Sequence, residues 1–246
     1  MLRSLRAVAR LLRLIAHILA GLATVLLRFP RLSPDQQHAR VQAWSRALLA
    51  HAGIALEIRG APPAGGPVVL VANHLSWLDI SVMHAARHCR FISKSDVQRW
   101  PVIGRLATAA GTLYIERNTR RDAMRIVRLM QEALQRQEVL GVFPEGTTAD
   151  GTELLPFHAN LLQAAVLADA PVQPVGLRFV VRATGRPSAD ALYVGDDTLL
   201  ASLWRVLRAE PMVAVVHYGE PERAAGRDRR VWAKDLRRAV DVLRKG

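Results

Sequence analysis

The segment Val68-Val69-Leu70-Val71-Ala72 constrains the fold most, because it is apolar at every position. A Gly- and Pro-rich stretch at residues 60–67 precedes it, and Asn73-His74 follows it. A strand with one wet face alternates apolar and polar residues, whereas an unbroken apolar run suits a strand buried on both faces. Residues 90–93, 112–116, 139–143, 172–181, 191–194 and 212–218 are further strand candidates. Apolar residues recur at helical spacing over 34–52 (Val41, Trp44, Leu48, Leu49) and 120–136 (Met124, Val127, Met130, Leu134). Residues 80–87, 158–167 and 231–243 are shorter or more basic helix candidates. The alternation predicts the α/β class: a mixed central sheet flanked by helices, with a helical segment appended at the N-terminus. A chain of 246 residues is long enough for one such domain with its own core.

The appended segment is basic, then apolar. Arg3, Arg6, Arg10 and Arg13 precede an apolar run at 14–27, interrupted by His17 and Thr24 and closed by Arg28, Pro30 and Arg31. The run is shorter than the roughly 20 residues a spanning helix needs. Arginines at every third or fourth position form one face, so the segment reads as a basic helix lying in a membrane interface. A span beginning near Leu11, a signal peptide and a buried core helix are the other readings, although no convincing small-x-small cleavage site precedes Arg28. The expected organisation is a membrane-associated helical segment over 1–59 and an α/β domain over 60–246.

The net charge of +13, nearly all from arginine, points to an anionic partner: nucleic acid, an anionic membrane face or phosphorylated substrates, among which charge alone does not choose. Aromatic residues make up 5% of the chain, without the interleaving of aromatic and basic side chains that nucleic-acid modules use. The expected partner is therefore an anionic membrane surface and not nucleic acid. Arginine on both flanks of the apolar run places the protein on a cytoplasmic membrane face, monotopic or single-span. A second basic face lies at Arg229, Arg230, Lys234, Arg237 and Arg238. The single cysteine, Cys89, allows no internal disulfide and sits in no motif, so it reads as a small buried residue.

Three polar turns, each after an apolar strand, carry the chemistry. In Asn73-His74-Leu75-Ser76-Trp77-Leu78-Asp79, a continuous helix would hold His74 and Asp79 about 140° apart. They meet only if the chain turns between them, and Ser76-x-x-Asp79 resembles a helix N-cap with an acid three residues on. A helix starting at Trp77 would let Asp79 orient His74 and stabilise its protonated form; a simple capping acid beside a polar loop histidine is the other reading. A His-Asp pair without its own nucleophile fits deprotonation of a substrate hydroxyl that then attacks a carbonyl. In Gly111-Thr112-Leu113-Tyr114-Ile115-Glu116-Arg117, the arginine closes a strand, where its planar donor fork suits a phosphate or a surface ion pair. In Phe143-Pro144-Glu145-Gly146-Thr147-Thr148, backbone amides of a tight turn can receive an anion, or the segment is a plain loop.

His74-x-x-x-x-Asp79 with Asn73 before it, Gly-x-x-Tyr-Ile-x-Arg at 111–117 and Phe-Pro-Glu-Gly-Thr at 143–147 resemble three signature blocks of the glycerolipid acyltransferases. The nearest type is the bacterial 1-acylglycerol-3-phosphate acyltransferase. Order and spacing match over roughly 65–180, with a weaker fourth block at Val172-Gln173-Pro174-Val175. The resemblance implies that His74 is the general base and Asp79 its partner. Asn73, Arg117, Glu145, Gly146 and Thr147 would bind substrate, Arg117 through the acceptor phosphate, and the fourth block would line an acyl channel. It implies no metal and no bound cofactor. The acyl donor would be acyl-CoA or acyl carrier protein, and the acceptor a lysophospholipid at the cytoplasmic face of a bacterial inner membrane, giving phosphatidic acid. Many members carry an arginine where this chain has Thr148. That departure leaves room for an acceptor without a phosphate, such as a lyso-ornithine lipid. An inactive membrane-binding scaffold with a basic surface is the reading from a different class.

Overall fold

The apolar run at 68–72 forms β2 (Val68–Ala72), the middle strand of a seven-stranded sheet in the computed structural model, which describes residues 2–116 and 120–246. The other strands are β1 (Ile54–Arg59), β3 (Arg90–Lys94), β4 (Leu113–Ile115), β5 (Val139–Val142), β6 (Val172–Val181) and β7 (Met212–Tyr218), in the order β1-β7-β6-β2-β5-β3-β4. All neighbouring pairs are parallel except β6 with β7, so the sheet is mixed as expected. Side chains of β2 alternate between two cores. Val68, Leu70 and Ala72 join one, and Val69 and Val71 join the other. Both faces are covered, which is why every position is apolar.

The helices are α1 (Leu2–Leu27), α2 (Pro34–Ala52), α3 (Leu78–Ala86), α4 (Ser95–Gln98), α5 (Ile103–Ala109), α6 (Arg120–Gln135), α7 (Gln163–Leu167), α8 (Leu199–Arg208) and α9 (Arg229–Lys245). Residues of α1, α2, α3 and α8 fill the first core, and those of α6, α7 and α9 the second. Local chemistry sets the ends of α2. Ser33 and Gln36 form a reciprocal capping box, Pro34 opens the first turn, and Gly53 closes the helix in the left-handed region at φ 85°. Gly53 also lies so close to the Arg10 guanidinium that a side chain there would collide with it.

Several expectations change. The segment Ile54–Arg59, expected within the appended helical segment, is an edge strand of the sheet, so the sheet begins before the boundary expected at Gly60. Its apolar residues Ile54, Leu56 and Ile58 alternate with Ala55, Glu57 and Arg59, a period-2 pattern that the preceding helix obscured. Residues 191–194 are not a strand. A 3-10 turn at Ala189–Ala191 leads into irregular chain, whose Tyr193 N–H binds the Leu75 carbonyl and whose Leu192 carbonyl accepts from Arg205. Residues 158–167 split into a 3-10 turn (Ala159–Leu162) and α7. The α8 helix was not anticipated, although Thr198 caps it.

The N-terminal basic face also has a different use. Arg6 and Arg10 donate to the Ala209 carbonyl and Arg10 to that of Leu207, at the C-terminal end of α8, and Arg3 pairs with Glu210. Those carbonyls have no partner within their own helix and sit at the negative end of its dipole. These arginines therefore serve α8, and only Arg13 of the four reaches solvent without a partner among the described residues.

Beside this core lies a stack of three imidazoles outside the site described below. The rings of His38 and His88 stack at 4.0 Å, and those of His84 and His88 at 5.2 Å. Burial, aided by the neighbouring imidazoles, lowers His84 to about 4 and His88 to about 3. The unfolded chain binds these protons below pH 6.5 and the folded chain does not. Their contribution to stability is thus complete above about pH 6.5 and is lost as the pH falls towards 4. Denaturation midpoints measured in micelles over that range should fall with a slope of up to roughly 1.4 kcal/mol per pH unit per histidine. His84→Leu should remove part of the slope; an unchanged slope would show that other groups control acid stability.

Candidate active site

Because β2, β4 and β5 run parallel to their neighbours, their C-terminal ends open on one edge of the sheet, and Val71 lies opposite Val142. The turns carrying His74 and Glu145 therefore emerge side by side, where open α/β sheets place ligands. Strand β4 delivers the chain to the same edge at Glu116; Arg117 itself lies outside the described residues.

At the exit of β2, the Asn73 amide reaches across to β6. Its Nδ2 donates to the Leu177 carbonyl at 3.0 Å and its Oδ1 accepts the Leu177 N–H at 2.7 Å. Both ends of the amide are used and the side chain is buried, so in the structure Asn73 fixes the strand end and does not face the opening.

His74 and Asp79 meet as the spacing anticipated. One oxygen of Asp79, Oδ2, accepts from Leu75 N–H at 2.6 Å, Ser76 N–H at 2.8 Å and His74 Nδ1 at 2.9 Å. The helix starts at Leu78, one residue later than expected, and the Ser76 hydroxyl accepts the Leu78 N–H at 3.3 Å. Helix capping and orientation of the histidine, left as alternatives by the sequence, are performed by the same carboxylate oxygen. The Asp79 side chain is fully buried, and that of His74 is 19% exposed. Phe143 stacks on the imidazole with centroids 4.0 Å apart, and Phe91 stacks behind Phe143 at 5.4 Å. The ring is thus held by a hydrogen bond at Nδ1 and an aromatic face, while Nε2 has no protein partner among the described residues.

Glu145 joins two turns and a loop. Its Oε1 accepts the His74 N–H and its Oε2 the Leu155 N–H, both at 2.8 Å. Burial raises this carboxyl above the usual carboxylate range, and the two N–H donors act against that shift. With both oxygens engaged, Glu145 positions His74. Gly146 has φ 75°, and a side chain there would press on the His158 imidazole. Thr147 is exposed, and the N–H groups of Thr147 and Thr148 have no partner among the described residues. The loop beyond is tied down by two arginines of α9, of which Arg237 belongs to the second basic face singled out in the sequence. Arg237 donates to the carbonyls of Leu154 and Leu155, and Arg244 to those of Gly151 and Thr152. Their spacing of seven residues puts both on one helix face. The block Val172–Val175 lies inside β6, buried in the sheet.

Known proteins resemble the chain in sequence and in fold. The family model described as Acyltransferase matches residues 54–178. A lyso-ornithine lipid O-acyltransferase from Pseudomonas aeruginosa is 39% identical over 97% of this chain and 92% of that enzyme. A 1-acyl-sn-glycerol-3-phosphate acyltransferase from Neisseria meningitidis is 39% identical over 75% of this chain and 72% of that enzyme. The crystal structure of the 1-acyl-sn-glycerophosphate acyltransferase from Thermotoga maritima shares the fold, with a TM-score of 0.73 over 99% of this chain and 96% of that one, at 17% identity. The chain belongs to the acyltransferase family.

The double anchorage of Glu145 yields a test. Glu145→Gln places an amide NH2 against one of two N–H donors, His74 or Leu155. It should lower stability by about 1–3 kcal/mol and reduce kcat about 10²-fold by displacing the His74 turn. Thermal melting and initial rates on the same preparation check both; full activity would leave Glu145 no part in positioning His74.

Proposed function

We propose that the protein transfers a fatty acyl group from a thioester donor, acyl-CoA or acyl carrier protein, to the free hydroxyl of a lysolipid. The observation that carries this reading is the His74–Asp79 pair, in which Nδ1 is held by Asp79 and, among the described residues, no protein hydroxyl or thiol is bonded to Nε2. The Ser76 hydroxyl is buried in the helix cap. Cys89 lies in the core, and burial pushes its thiol well above the usual range. The nucleophile is therefore the acceptor hydroxyl. His74 Nε2 takes its proton as the oxygen attacks the thioester carbonyl, and the carbonyl oxygen takes on the negative charge. Asp79 stabilises the imidazolium through Nδ1. The free amides of Thr147 and Thr148 are suited to an anion formed at this edge. As the tetrahedral intermediate collapses, the C–S bond breaks, the ester forms, and Nε2 returns the proton to the thiolate.

For the acceptor we favour a lyso-ornithine lipid. The match to an enzyme of that name runs through almost the whole chain. The third turn also carries no fixed cation: Thr148 stands at the position in question, and Arg237 and Arg244 are bound to loop carbonyls. The second reading, 1-acylglycerol-3-phosphate converted to phosphatidic acid, is favoured by the Neisseria relatives and by the Arg117 block. In either case the acceptor is a membrane lipid, and the reaction belongs to the cytoplasmic face of a bacterial inner membrane.

His74→Ala should lower kcat about 10²–10⁴-fold with an unchanged melting curve; wild-type turnover in that variant would remove His74 from the mechanism. Lyso-ornithine lipid and 1-acylglycerol-3-phosphate offered with one acyl-CoA decide the acceptor, with higher kcat/KM expected for the former. Arg117→Ala should raise KM about tenfold for the phosphate acceptor alone, since a charge-assisted bond contributes about 1.5–3 kcal/mol.

A further inference from the structure

The α1 helix is long and apolar enough to cross a bilayer by length and composition. One of its faces nonetheless follows the folded domain from end to end. Near its start, Arg6 and Arg10 bind the end of α8. At its middle, His17 Nε2 lies 2.9 Å from the Trp44 carbonyl, and Gly21 packs against the Trp44 indole. At its end, Val25 and Leu26 share a groove of about 550 Å³ with Gly104 and Thr108 of α5. The opposite face exposes Leu5, Val8, Leu12, Ile15 and Leu19, alternately three and four residues apart, with Leu12 62% exposed. A helix docked along about 39 Å of its length cannot cross a bilayer without carrying the domain surface with it.

The stripe is not isolated. Where α8 packs beside α1, it exposes Leu199, Leu200 and Trp204, with Leu200 76% exposed. The corner between α4 and α5, also beside α1, exposes Trp100 and Ile103, with Trp100 48% exposed. Arg13, Arg99, Arg105 and Arg208 are sequence or one-turn neighbours of these patches; all are exposed, with no carboxylate partner among the described residues. Apolar side chains bordered by unpaired arginines match the acyl boundary and anionic headgroups of one lipid leaflet. We propose that α8 and the α4–α5 corner enter the same anionic leaflet as α1, so that the membrane contact is one three-part surface and α1 lies in its plane. The proposal rests on the reading that the acceptor is a membrane lipid.

The test uses the full chain and vesicles of phosphatidylcholine and phosphatidylglycerol in equal amounts. Buried Cys89 leaves single cysteines open to selective labelling with an environment-sensitive dye, in Leu5→Cys, Leu12→Cys, Leu19→Cys, Ile103→Cys and Leu200→Cys. All five labels should shift to the blue on adding vesicles and be quenched best by a shallow lipid-bound quencher. Successive α1 positions are roughly 10 Å apart along the axis. A spanning helix would therefore put them at different depths and leave the labels at 103 and 200 in water, which would overturn the proposal. Emission already blue-shifted before vesicles, and rising with protein concentration, would mean that a second copy covers the surface and would also overturn it. Leu200→Glu and Trp100→Glu change exposed positions, so folding should persist. Each should weaken vesicle binding about tenfold; unchanged binding by both would confine the contact to α1. None of these readouts needs turnover, so a wild-type protein inactive on every acceptor would sink the proposed reaction and leave the membrane result standing.

Discussion

One carboxylate oxygen holds the His74 turn together. Asp79 Oδ2 collects three donors, two from the backbone of Leu75 and Ser76 and one from His74. Burying a carboxylate is costly unless hydrogen bonds replace the lost water. Here the compensation comes from N–H groups that would themselves be orphaned at a helix start. The helix begins where it does because Asp79 caps the turn, and His74 points where it does because the same oxygen fixes Nδ1. Glu145 repeats the device one strand away, holding the N–H of His74 and of Leu155. Two buried acids, Asp79 through one oxygen and Glu145 through both, thus bind backbone N–H groups at two adjacent strand ends and join them into one constellation, and Phe143 closes one face of the imidazole.

What could be read from the sequence follows from this arrangement. The His74–Asp79 contact was legible because a pair five residues apart meets only across a turn, and Ser76 marks one. The middle strand was legible because both faces of β2 are dry. The roles of Asn73 and Glu145 were not, since their partners at Leu177 and Leu155 lie far from them along the chain or in irregular loops. A motif marks such residues as belonging to a site, but it cannot separate those that face the opening from those that hold it in shape. The misread segment 191–194 has the same origin. Four apolar residues look like a strand, but here their backbone is satisfied by Leu75 and Arg205 and joins no ladder.

Charge was the least transparent signal. A net +13 implies an anionic partner only if the arginines are free. Many are not. Arg10 serves the end of α8, Arg46 donates to Ala85, Arg87 to Pro63, Arg205 to Leu192, and Arg237 and Arg244 to the loop beside the site. The guanidinium fork suits this work, since several donors can meet several carbonyls while the charge stays partly solvated. Composition counts these side chains as surface charge, whereas the fold spends them as backbone caps.

The arginines and the His74 turn are linked through α8. Arg10 on α1 grips its C-terminal end, and Ser202 on its inner face accepts from the Trp77 indole, the residue just before α3. Trp77 sits between Ser76 and Asp79, inside the loop that presents His74. A short chain of contacts therefore runs from the exposed stripe of α1, through α8, to the imidazole. For the membrane-lipid acceptor proposed above, the position of His74 relative to the leaflet would matter as well as its orientation. Packed between α1 and Trp77, α8 fixes the N-terminal helix relative to the His74 turn by direct contact, which a flexible tether on α1 would not do.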